Sequence, residues 1–600
     1  MILDDIKIPK DIKSLNIDEL YELCNELRQE IIRITNKNGG HLGSNLGDIE
    51  LIVAIHYVFD IETDKLIFDV GHQSYAHKML TGRRGLMENL RSCDGASGFP
   101  DPLESKYDHF IAGHASTSLS AALGIAKARD IKQENFKVLT LLGDGALSGG
   151  MIYEALNNVS KTKDFIVILN DNQMSISKSV GSMRKYLTKL LNTKGGLLCR
   201  SSLRKLLKTL PERKSQKIES FIKSTISAFC GHNMFEEFGL QYIGPKDGHN
   251  LKALIKTLKN IKYLSTSKPI ILHAITQKGK GYKEAESDKN KLHGIKTVGL
   301  PQYTDIFSSK IVQLAEKDPK IVCITAAMKD GTGLLEFAEK FPDRFFDVGI
   351  AEEHAVTFAA GLAIQGMKPY VCIYSTFLQR AFDQIYHDVF LQNLPVRFIV
   401  DKAGFPGRDG KTHSGIYDTS MFCNFPTFTV LSPSSAKELE LMLEYSANDM
   451  KNPIAIRFPK SEAFGEAHSN NFSLKSKIVN EGNDILIFSF GDLLTNIWEA
   501  VTIAKVSPTI IDARCAMPLD TETLYNYAKN YRKILVLDEG VWNGFSSNIV
   551  EQLIKDKKYD ILQKITFLNA DKNPVRHESR MKQQKSNNLS AERIAKLLKN

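Results

Sequence analysis

Short apolar runs alternate along the chain with longer stretches in which apolar residues recur at helical spacing. Apolar runs of four to eight residues bounded by polar or turn residues are typical of buried strands. The predicted strands are Lys65–Val70, Val138–Leu142, Phe165–Asn170, Ile270–Thr276, Ile321–Thr325, Tyr370–Tyr374, Val396–Asp401, Ile454–Phe458, Asp484–Ser489, Pro508–Ala513 and Lys533–Asp538. Helices are predicted between them, including Ile17–Lys37 and Gly145–Asn158. Strands that alternate with helices form parallel sheets covered on both faces, so the pattern predicts an α/β fold.

Polar segments divide these elements into three groups. A charged linker, Lys283–Gly294, follows the first group, and a polar break at Ala467–Lys477 precedes the third. We therefore predict three domains with mainly parallel sheets flanked by helices. The predicted domains are residues 1–300, 301–470 and 475–600. Residues 180–240 are rich in Lys, Ser and Arg, and they are predicted to form an amphipathic helical excursion or a mobile loop within the first domain.

Composition narrows the classes of function. A chain of 600 residues is too long for one core, and 42% hydrophobic with 24% charged residues is ordinary for a soluble globular protein. The net charge of +9 comes mostly from dispersed lysines without a basic, aromatic-rich stripe, so no nucleic-acid role is predicted. No apolar run approaches the ~20 residues that span a bilayer, and the first residues have no signal-peptide features. The eight cysteines lack metal spacing, which favours buried thiols in a reducing cytoplasm.

A glycine-flanked carboxylate follows the predicted strand Val138–Leu142. Asp144, between Gly143 and Gly145, offers a charged oxygen, and Asn172 offers an amide oxygen at the end of the next strand. Mg²⁺ prefers oxygen ligands and commonly binds through one or two protein groups plus phosphate oxygens. The glycines allow the backbone to approach a diphosphate, and a helix start there favours its negative charge. The pattern predicts a magnesium–diphosphate site, although a plain tight turn also explains the glycines.

A second segment carries a carboxylate suited to a different part of a cofactor. Glu352 directly precedes the apolar run Ala355–Ala363. By itself it is also explained as an acidic residue that stabilises a helix start. Together, this segment and the predicted magnesium site resemble those of the thiamine diphosphate enzymes. In these enzymes one domain binds the diphosphate and another supplies a Glu for the aminopyrimidine ring. The resemblance implies that Glu352 hydrogen-bonds the pyrimidine nitrogen and so promotes removal of the thiazolium C2 proton.

Longer segments make the resemblance more specific. They are Asn38–Gly43, Asp69–Tyr75, Gly113-His114, Met151–Asn157 and Tyr374–Ala381. From about residue 20 to 600, and least between 180 and 240, the chain resembles the 1-deoxy-D-xylulose-5-phosphate synthase family, relatives of transketolase. The resemblance implies a homodimer that uses thiamine diphosphate and Mg²⁺ to join pyruvate to D-glyceraldehyde 3-phosphate with loss of CO₂. The product, 1-deoxy-D-xylulose 5-phosphate, feeds isoprenoid, thiamine and pyridoxal phosphate synthesis.

The resemblance also implies which residues contact the cofactor. The implied cofactor-binding residues are His72, Gly113, His114, Ala115, Gly145, Ala146, Asn172, Tyr282, Glu352 and Phe377. The implied metal ligands are Asp144, Asn172 and Met174. Phe377 corresponds to an aromatic residue that stacks on the pyrimidine, although an ordinary core role explains it as well. Ala115 stands where a serine is common in the family, so a backbone contact there survives and a hydroxyl contact does not.

Catalytic and substrate roles follow from the same resemblance. The implied catalytic residues are Glu352, His41, His293, His413 and Asp409. The implied substrate-binding residues are Tyr374, Arg380, Lys402 and Arg457. Arg457 lies at the end of a predicted strand, where α/β sites form, and a guanidinium binds phosphate with two parallel hydrogen bonds. The alternative for Arg457 is a residue of a surface ion pair. The alternative for His293 is a solvated residue of the linker without a catalytic role.

One position departs from the family pattern and weakens the identity of the acceptor. Lys402 stands where the family usually has an arginine, which helps to bind phosphate. Lysine keeps the positive charge but loses the planar fork of the guanidinium. Arg408 is a candidate to compensate, and a different acceptor is the other interpretation. The alternatives for the whole chain are a transketolase or related carboligase with another donor or acceptor, and a thiamine diphosphate-binding paralogue with little activity.

Overall fold

The computed structural model describes residues 1–172, 181–192, 233–288, 301–463, 465 and 472–599. The chain divides into two compact units. One comprises Met1–Leu90 and Gly95–Ile295, and the other comprises Arg91–Asp94 and Lys296–Asn600. The excursion predicted at 180–240 lies mainly outside the described residues, apart from a helix at Gly181–Asn192.

The first unit is built on a five-stranded parallel sheet. Its strands are β1 (Lys65–Phe68), β2 (Val138–Gly143), β3 (Phe165–Asp171), β4 (Gln241–Asp247) and β5 (Ile270–Ile275). They lie in the order β1-β2-β3-β5-β4, and every neighbouring pair is parallel. β2 and β3 pair from Val138 opposite Phe165 to Gly143 opposite Asn170. The chain therefore leaves both strands at the same edge of the sheet.

Helices cover both faces of this sheet, as the alternation of the sequence predicts. The longer helices are Ile17–Asn38, Ile49–Val58, Ser118–Lys132, Gly150–Asn158, Gly181–Asn192 and Leu251–Leu264. Successive residues of a strand point to opposite faces. Ile166 and Ile168 of β3 share a core with the first two of these helices, whereas Val167 and Leu169 share a core with the third and fourth. β3 is fully buried for this reason.

The turn after β2 differs from its prediction as one continuous helix over Gly145–Asn158. A short 3-10 helix, Asp144–Ser148, comes first, and the α-helix begins only at Gly150. Gly149 between them is extended, with φ −83° and ψ 139°, which interrupts the helical hydrogen bonding. The prediction was wrong over these first residues, because helical periodicity does not reveal a single extended residue.

The second unit contains two sheets. Its strands are β6 (Ile321–Thr325), β7 (Phe345–Asp347), β8 (Lys368–Tyr374), β9 (Arg397–Asp401), β10 (Thr429–Leu431), β11 (Ile454–Phe458), β12 (Lys477–Asn480), β13 (Ile485–Phe490), β14 (Thr509–Asp512), β15 (Cys515–Met517), β16 (Lys533–Val541) and β17 (Ile565–Ala570). The sheet orders are β15-β10-β11-β9-β8-β6-β7 and β12-β14-β13-β16-β17. Only β15 and β12 pair antiparallel with their neighbours in these described sheets.

β15 links the two halves of this unit, because it comes from the C-terminal region but joins the sheet of the preceding region. Val430 of β10 pairs with Met517, and Leu431 pairs with Cys515. The longer helices around the two sheets are Tyr303–Lys317, Glu352–Ile364, Ala436–Ala447, Leu494–Ala504, Thr521–Ala528, Phe545–Lys555 and Ala591–Lys599. The predicted division of this unit into a second domain that ends at residue 470 and a third that begins at residue 475 stays a prediction.

The fold class is confirmed as α/β with mainly parallel sheets between helices. In the parts of the chain that the structure describes, every helix is too short or too polar to cross a membrane.

Candidate functional site

Asp144 and Asn172 lie at one edge of the first sheet. Asp144 follows β2 directly and is buried, and Asn172 follows β3 directly. Because Gly143 and Asn170 are register partners, the two side chains begin from neighbouring strand ends. This is the edge at which the sequence predicts a magnesium–diphosphate site, and ligands of open α/β sheets bind beyond such strand ends.

The turn Gly113–Ala115 is attached to the same edge by hydrogen bonds. The hydroxyl of Ser116 donates to the carbonyl oxygen of Ala146 at 2.9 Å. The backbone N–H groups of Ser116 and Ser118 donate to the two carboxylate oxygens of Asp69 at 2.9 and 3.2 Å. Gly113 has a φ of 146°, a conformation that other residues rarely adopt. The structure thus brings two of the predicted diphosphate segments together.

A buried lysine that the sequence reasoning did not assign lies at this edge. Lys278 is only 3% exposed, and burial lowers its pKa to about 8, although the carboxylate of Asp144 acts in the opposite direction. Burial, together with the charge of Lys278, lowers the pKa of His72 to about 3, so His72 is neutral at pH 7. The sequence feature that could have indicated this role is the position of Lys278, which closely follows the end of β5.

Two of the predicted histidines lie side by side. The rings of His41 and His72 are 5.5 Å apart in an edge-to-face arrangement, and Phe99 packs against His41 at the same distance. The backbone N–H of His41 donates to the hydroxyl of Tyr75 at 3.3 Å. Tyr282 follows Lys278 by four positions and is partly buried against the first core. His114 lies in the turn beside Gly113.

In the second unit, Glu352 is the first residue of the helix Glu352–Ile364 and is only 3% exposed. Burial raises its pKa to about 7, against the opposing charge of Arg380. Arg380 Nη1 donates to Glu352 Oε2 at 3.4 Å. The structure therefore places Arg380, predicted as a substrate residue, against the predicted pyrimidine ligand. A buried carboxyl group with this pKa can hold or release a proton near neutral pH.

Aromatic rings connect the end of β8 to the segment that carries His413. Tyr374 is the last residue of β8, and its ring lies 5.9 Å from that of Phe377 with nearly parallel planes. Phe377 also meets His413 edge-to-face at 5.3 Å. Three predicted site residues are thus neighbours.

A small pocket opens beside these rings. It is lined by Tyr374, Thr376, Lys402, Pro406, Asp409, His413 and Lys460. Strands β8, β9 and β11 end at one level, since Tyr374 and Phe458 are both register partners of Asp401. The residues after those strands, Lys402 and Lys460, consequently reach the same pocket.

The charges in this pocket are arranged around one carboxylate. Burial alone would raise the pKa of Asp409, but the positive charges of Lys460 and Arg91 hold it well below its usual range. Lys460 Nζ lies 3.0 Å from Asp409 Oδ2, and Arg91, from the short segment Arg91–Asp94 of this unit, also pairs with Asp409. Lys402 Nζ lies 3.4 Å from the centroid of the Tyr374 ring, a cation–π contact.

Lys402 has an unusual backbone conformation for its residue type. Its φ is 56°, and its N–H donates to Asp401 Oδ1 at 2.7 Å. Residues other than glycine occupy this left-handed region rarely, and they cluster at functional sites.

Arg457 belongs to β11, but its side chain does not line this pocket. It is 3% exposed, and its Nε donates to Asp418 Oδ1 at 3.0 Å. Lys460, which the sequence reasoning missed, lines the pocket together with Lys402. The phosphate contact proposed for Arg457 stays a prediction. Arg408 is exposed and is not among the lining residues.

Comparison with known proteins identifies the family. A family profile described as 1-deoxy-D-xylulose-5-phosphate synthase matches residues 3–276, and profiles for the pyrimidine binding domain and the C-terminal domain of transketolase match residues 300–464 and 474–594. The 1-deoxy-D-xylulose-5-phosphate synthase of Dictyoglomus thermophilum is 46% identical over 576 residues, which cover 92% of each chain. That of Caldanaerobacter subterraneus is 44% identical over 577 residues, covering 93% of this chain and 92% of the relative. The chain belongs to the 1-deoxy-D-xylulose-5-phosphate synthase family.

Membership in this family makes the chain a thiamine diphosphate-dependent transferase, and the first-unit edge fits the cofactor's diphosphate. Asp144 and Asn172 offer oxygen ligands, and Lys278 offers positive charge to an anion. Among the described residues, no three His, Cys, Asp or Glu side chains form a metal site by themselves. An ion bound by Asp144 and Asn172 therefore depends on phosphate oxygens as well, which is the usual situation for Mg²⁺.

Two predicted residues cannot be placed in this geometry. Met174, predicted as a metal ligand, and His293, predicted as catalytic, lie outside the described residues. Their roles stay predictions.

Proposed function

We propose that the protein condenses pyruvate with D-glyceraldehyde 3-phosphate, releasing CO₂ and forming 1-deoxy-D-xylulose 5-phosphate, the first step of the non-mevalonate isoprenoid pathway. The observation that carries this proposal is the pocket in which Lys402 and Lys460 lie beside Tyr374, Asp409 and His413. Two cationic side chains at strand ends suit a phosphorylated acceptor. The identity to synthases over nearly the whole chain supports the same reaction.

Asp144 and Asn172 would hold Mg²⁺, and His72, Lys278 and the turn Gly113–Ala115 would hold the diphosphate. Neutral His72 can donate one hydrogen bond to a phosphate oxygen, while Lys278 contributes charge. When bound, thiamine diphosphate supplies a carbon nucleophile and a sink for the electron pair that is left when CO₂ departs.

Glu352 would bind the ring nitrogen of the aminopyrimidine. Its carboxyl group is buried and has a pKa of about 7, so it can share a proton with a ring nitrogen of similar basicity. Arg380, 3.4 Å away, adjusts the charge of this carboxyl group, and Phe377 supplies an apolar surface for the ring.

Lys402 and Lys460 would bind the acceptor's phosphate, His413 and Asp409 would hold its hydroxyl groups, and His413 would move protons at the aldehyde oxygen. Lysine is a point charge with three rotatable donors, whereas arginine offers a rigid fork. The lysines therefore impose less orientation on the phosphate than the family's usual arginine does.

A turnover assay with pyruvate and D-glyceraldehyde 3-phosphate tests the proposal. We expect one CO₂ released for each sugar phosphate formed, only when thiamine diphosphate and Mg²⁺ are present. Cleavage of a ketose phosphate without CO₂ release would identify a transketolase instead. Cofactor binding without turnover of any donor would identify a low-activity paralogue.

We also propose that the protein is a cytoplasmic homodimer. Several apolar side chains of the second unit are exposed, among them Ile364, Phe382, Tyr386 and Leu391, and the rings of Phe382 and Tyr386 both lie against Phe425. A cluster of exposed apolar residues is typical of an association surface. Light scattering should give twice the 67.2 kDa of the chain, and Leu391→Glu should shift the protein towards the monomer. The six cysteines in the described part of the chain are free thiols, which fits a reducing compartment.

A further inference from the structure

A loop of the second unit carries two of the residues that line the acceptor pocket. This acceptor loop, residues 407–413, contains two short 3-10 turns, Gly407–Asp409 and Lys411–His413. Its base is closed by backbone hydrogen bonds between Gly404 and Gly415 at 2.9 and 3.0 Å. Between these ends, the loop contributes no strand to either sheet. Something other than sheet pairing must hold Asp409 and His413 in place.

A buried glutamine near the C-terminus binds the backbone of this loop. Gln583 is 1% exposed and lies in the helix Arg580–Ser586. Its Oε1 accepts from the N–H of Gly407 at 2.8 Å, and its Nε2 donates to the carbonyl oxygen of Gly407 at 2.9 Å. Nε2 also donates to the carbonyl oxygen of Arg576 at 2.7 Å. One side chain thus satisfies both backbone groups of a single loop residue, in the way that a neighbouring strand would.

A histidine from the same C-terminal segment holds the next part of the loop. His577 Nδ1 donates to the carbonyl oxygen of Arg408 at 2.9 Å. Its ring also lies against Gly410, where a Cβ would come within 2.3 Å of ring atoms. Gly410 has a φ of 73°, which favours glycine for a second reason. The residues on both sides of Asp409 are therefore bound by the C-terminal segment.

We propose that Gln583 and His577 are positioning residues, which hold the acceptor loop so that Asp409 and His413 face the pocket. The inference rests on the proposed function, because it takes the pocket to bind the phosphorylated acceptor. Gly407 is two residues from Asp409, so a loss of its two bonds changes where that carboxylate lies. The half-buried N–H of Gly407 then has no partner, so the loop adopts another conformation or admits water. The C-terminal helix thereby contributes to acceptor specificity without touching the acceptor.

Gln583→Met tests the proposal, because methionine has a similar volume and cannot form the three hydrogen bonds. We expect the KM for D-glyceraldehyde 3-phosphate to rise about tenfold, the result of losing roughly one buried polar pair. The KM for pyruvate and the affinity for thiamine diphosphate should stay unchanged. His577→Phe, which keeps a ring against Gly410 but loses Nδ1, should have a smaller effect of the same kind.

Gln584→Met is the matched control. Gln584 is the next residue of the same helix and is also buried, but its side chain bonds Glu539 and Asn496 instead of the acceptor loop. It should lower thermal stability about as much as Gln583→Met and leave the KM for the acceptor unchanged. Equal changes in both variants, or a rise in KM for both substrates, would mean that the C-terminal helix stabilises the unit generally, and would overturn the proposal.

Hydrogen exchange separates this inference from the proposed function, because it needs no substrate. In Gln583→Met, the amide of Gly407 should exchange about tenfold faster than in the unmodified protein, while the buried amides of β9 keep their rate. Unchanged exchange at Gly407 would overturn the positioning role even if the synthase reaction is verified. Faster exchange in a protein that does not turn over the acceptor would leave the loop contact in place and reject the proposed substrate.

Discussion

The sheet edge of the first unit and the sheet edge of the second place their functional residues in different ways. At the first edge, glycine-containing turns follow β2 and precede the helix at Ser118, and they bring backbone groups together. At the second edge, single side chains at or just after the ends of three strands converge, as Tyr374, Lys402 and Lys460 do. Diphosphate binding relies on a close backbone approach, which only particular sequences permit. Binding of an acceptor relies on side-chain charge, which many sequences supply.

The largest expected effect concerns the sheet edge of the first unit and its proposed Mg²⁺ ligand. Asp144→Ala removes the one charged oxygen proposed to bind Mg²⁺ there, so Mg²⁺-dependent binding of thiamine diphosphate should be lost while the fold is kept. Calorimetry measures the affinity. Asp164→Ala is the control, since Asp164 precedes β3 at the opposite edge and pairs with Lys137. Unchanged affinity in Asp144→Ala would contradict the magnesium site.

The next effect concerns the carboxyl group of the second unit. Glu352→Gln keeps the shape but cannot take up the proton of a ring nitrogen. Exchange of the C2 proton of bound thiamine diphosphate should slow by about 10²–10⁴-fold, the usual contribution of a positioned acid or base. Deuterium exchange followed by NMR measures it. Glu353→Gln, one residue further and more exposed, should exchange normally, and equal slowing in both variants would argue against a specific role of Glu352.

A smaller effect compares two cations of the second edge. Lys460→Ala should raise the KM for D-glyceraldehyde 3-phosphate about tenfold and leave that for pyruvate unchanged, because a charged hydrogen bond contributes roughly 1.5–3 kcal/mol. Arg457→Ala should instead lower the free energy of unfolding by about 3–5 kcal/mol, since it leaves Asp418 buried without its charged partner. The reverse result, with the KM effect confined to Arg457→Ala, would assign the phosphate contact to Arg457 and not to Lys460.

The smallest effect is a pH dependence at the first edge. Burial lowers the pKa of Lys278 to about 8, so the side chain is charged below that pH and neutral above it. Affinity for thiamine diphosphate should therefore be highest below pH 8 and should fall as the pH rises through it. Lys278→Met should bind more weakly and lose this dependence. The same decline in affinity above pH 8 in Lys278→Met would assign the titration to another group.

The strands that were predicted correctly share one property, which is burial on both faces. β2, β3 and β5 form continuous apolar runs for that reason, and each was found from the sequence. β4 was missed, because it lies at the end of the sheet order and contains Gly244, Pro245 and charged residues. β15 was missed because three residues are too few to establish a period.

The site residues also divide into those that the sequence indicates and those that only the folded chain brings to the site. Asp144 and Glu352 were found because each stands in a distinctive local sequence. Lys278 and Lys460 were missed because their significance comes from the strand ends that they follow, and strand register is a property of the folded sheet. Gln583 lies 176 positions from the loop residue that it binds, so no local pattern points to it.

The central claim is that the second edge recognises the phosphate of the acceptor through Lys402 and Lys460. The most direct measurement compares kcat/KM for D-glyceraldehyde 3-phosphate with that for unphosphorylated D-glyceraldehyde, in the unmodified protein and in the variant with both Lys402→Met and Lys460→Met. We expect a strong preference for the phosphorylated acceptor that falls by about a hundredfold in the double variant, with the affinity for thiamine diphosphate unchanged. A preference that survives both substitutions would contradict the claim.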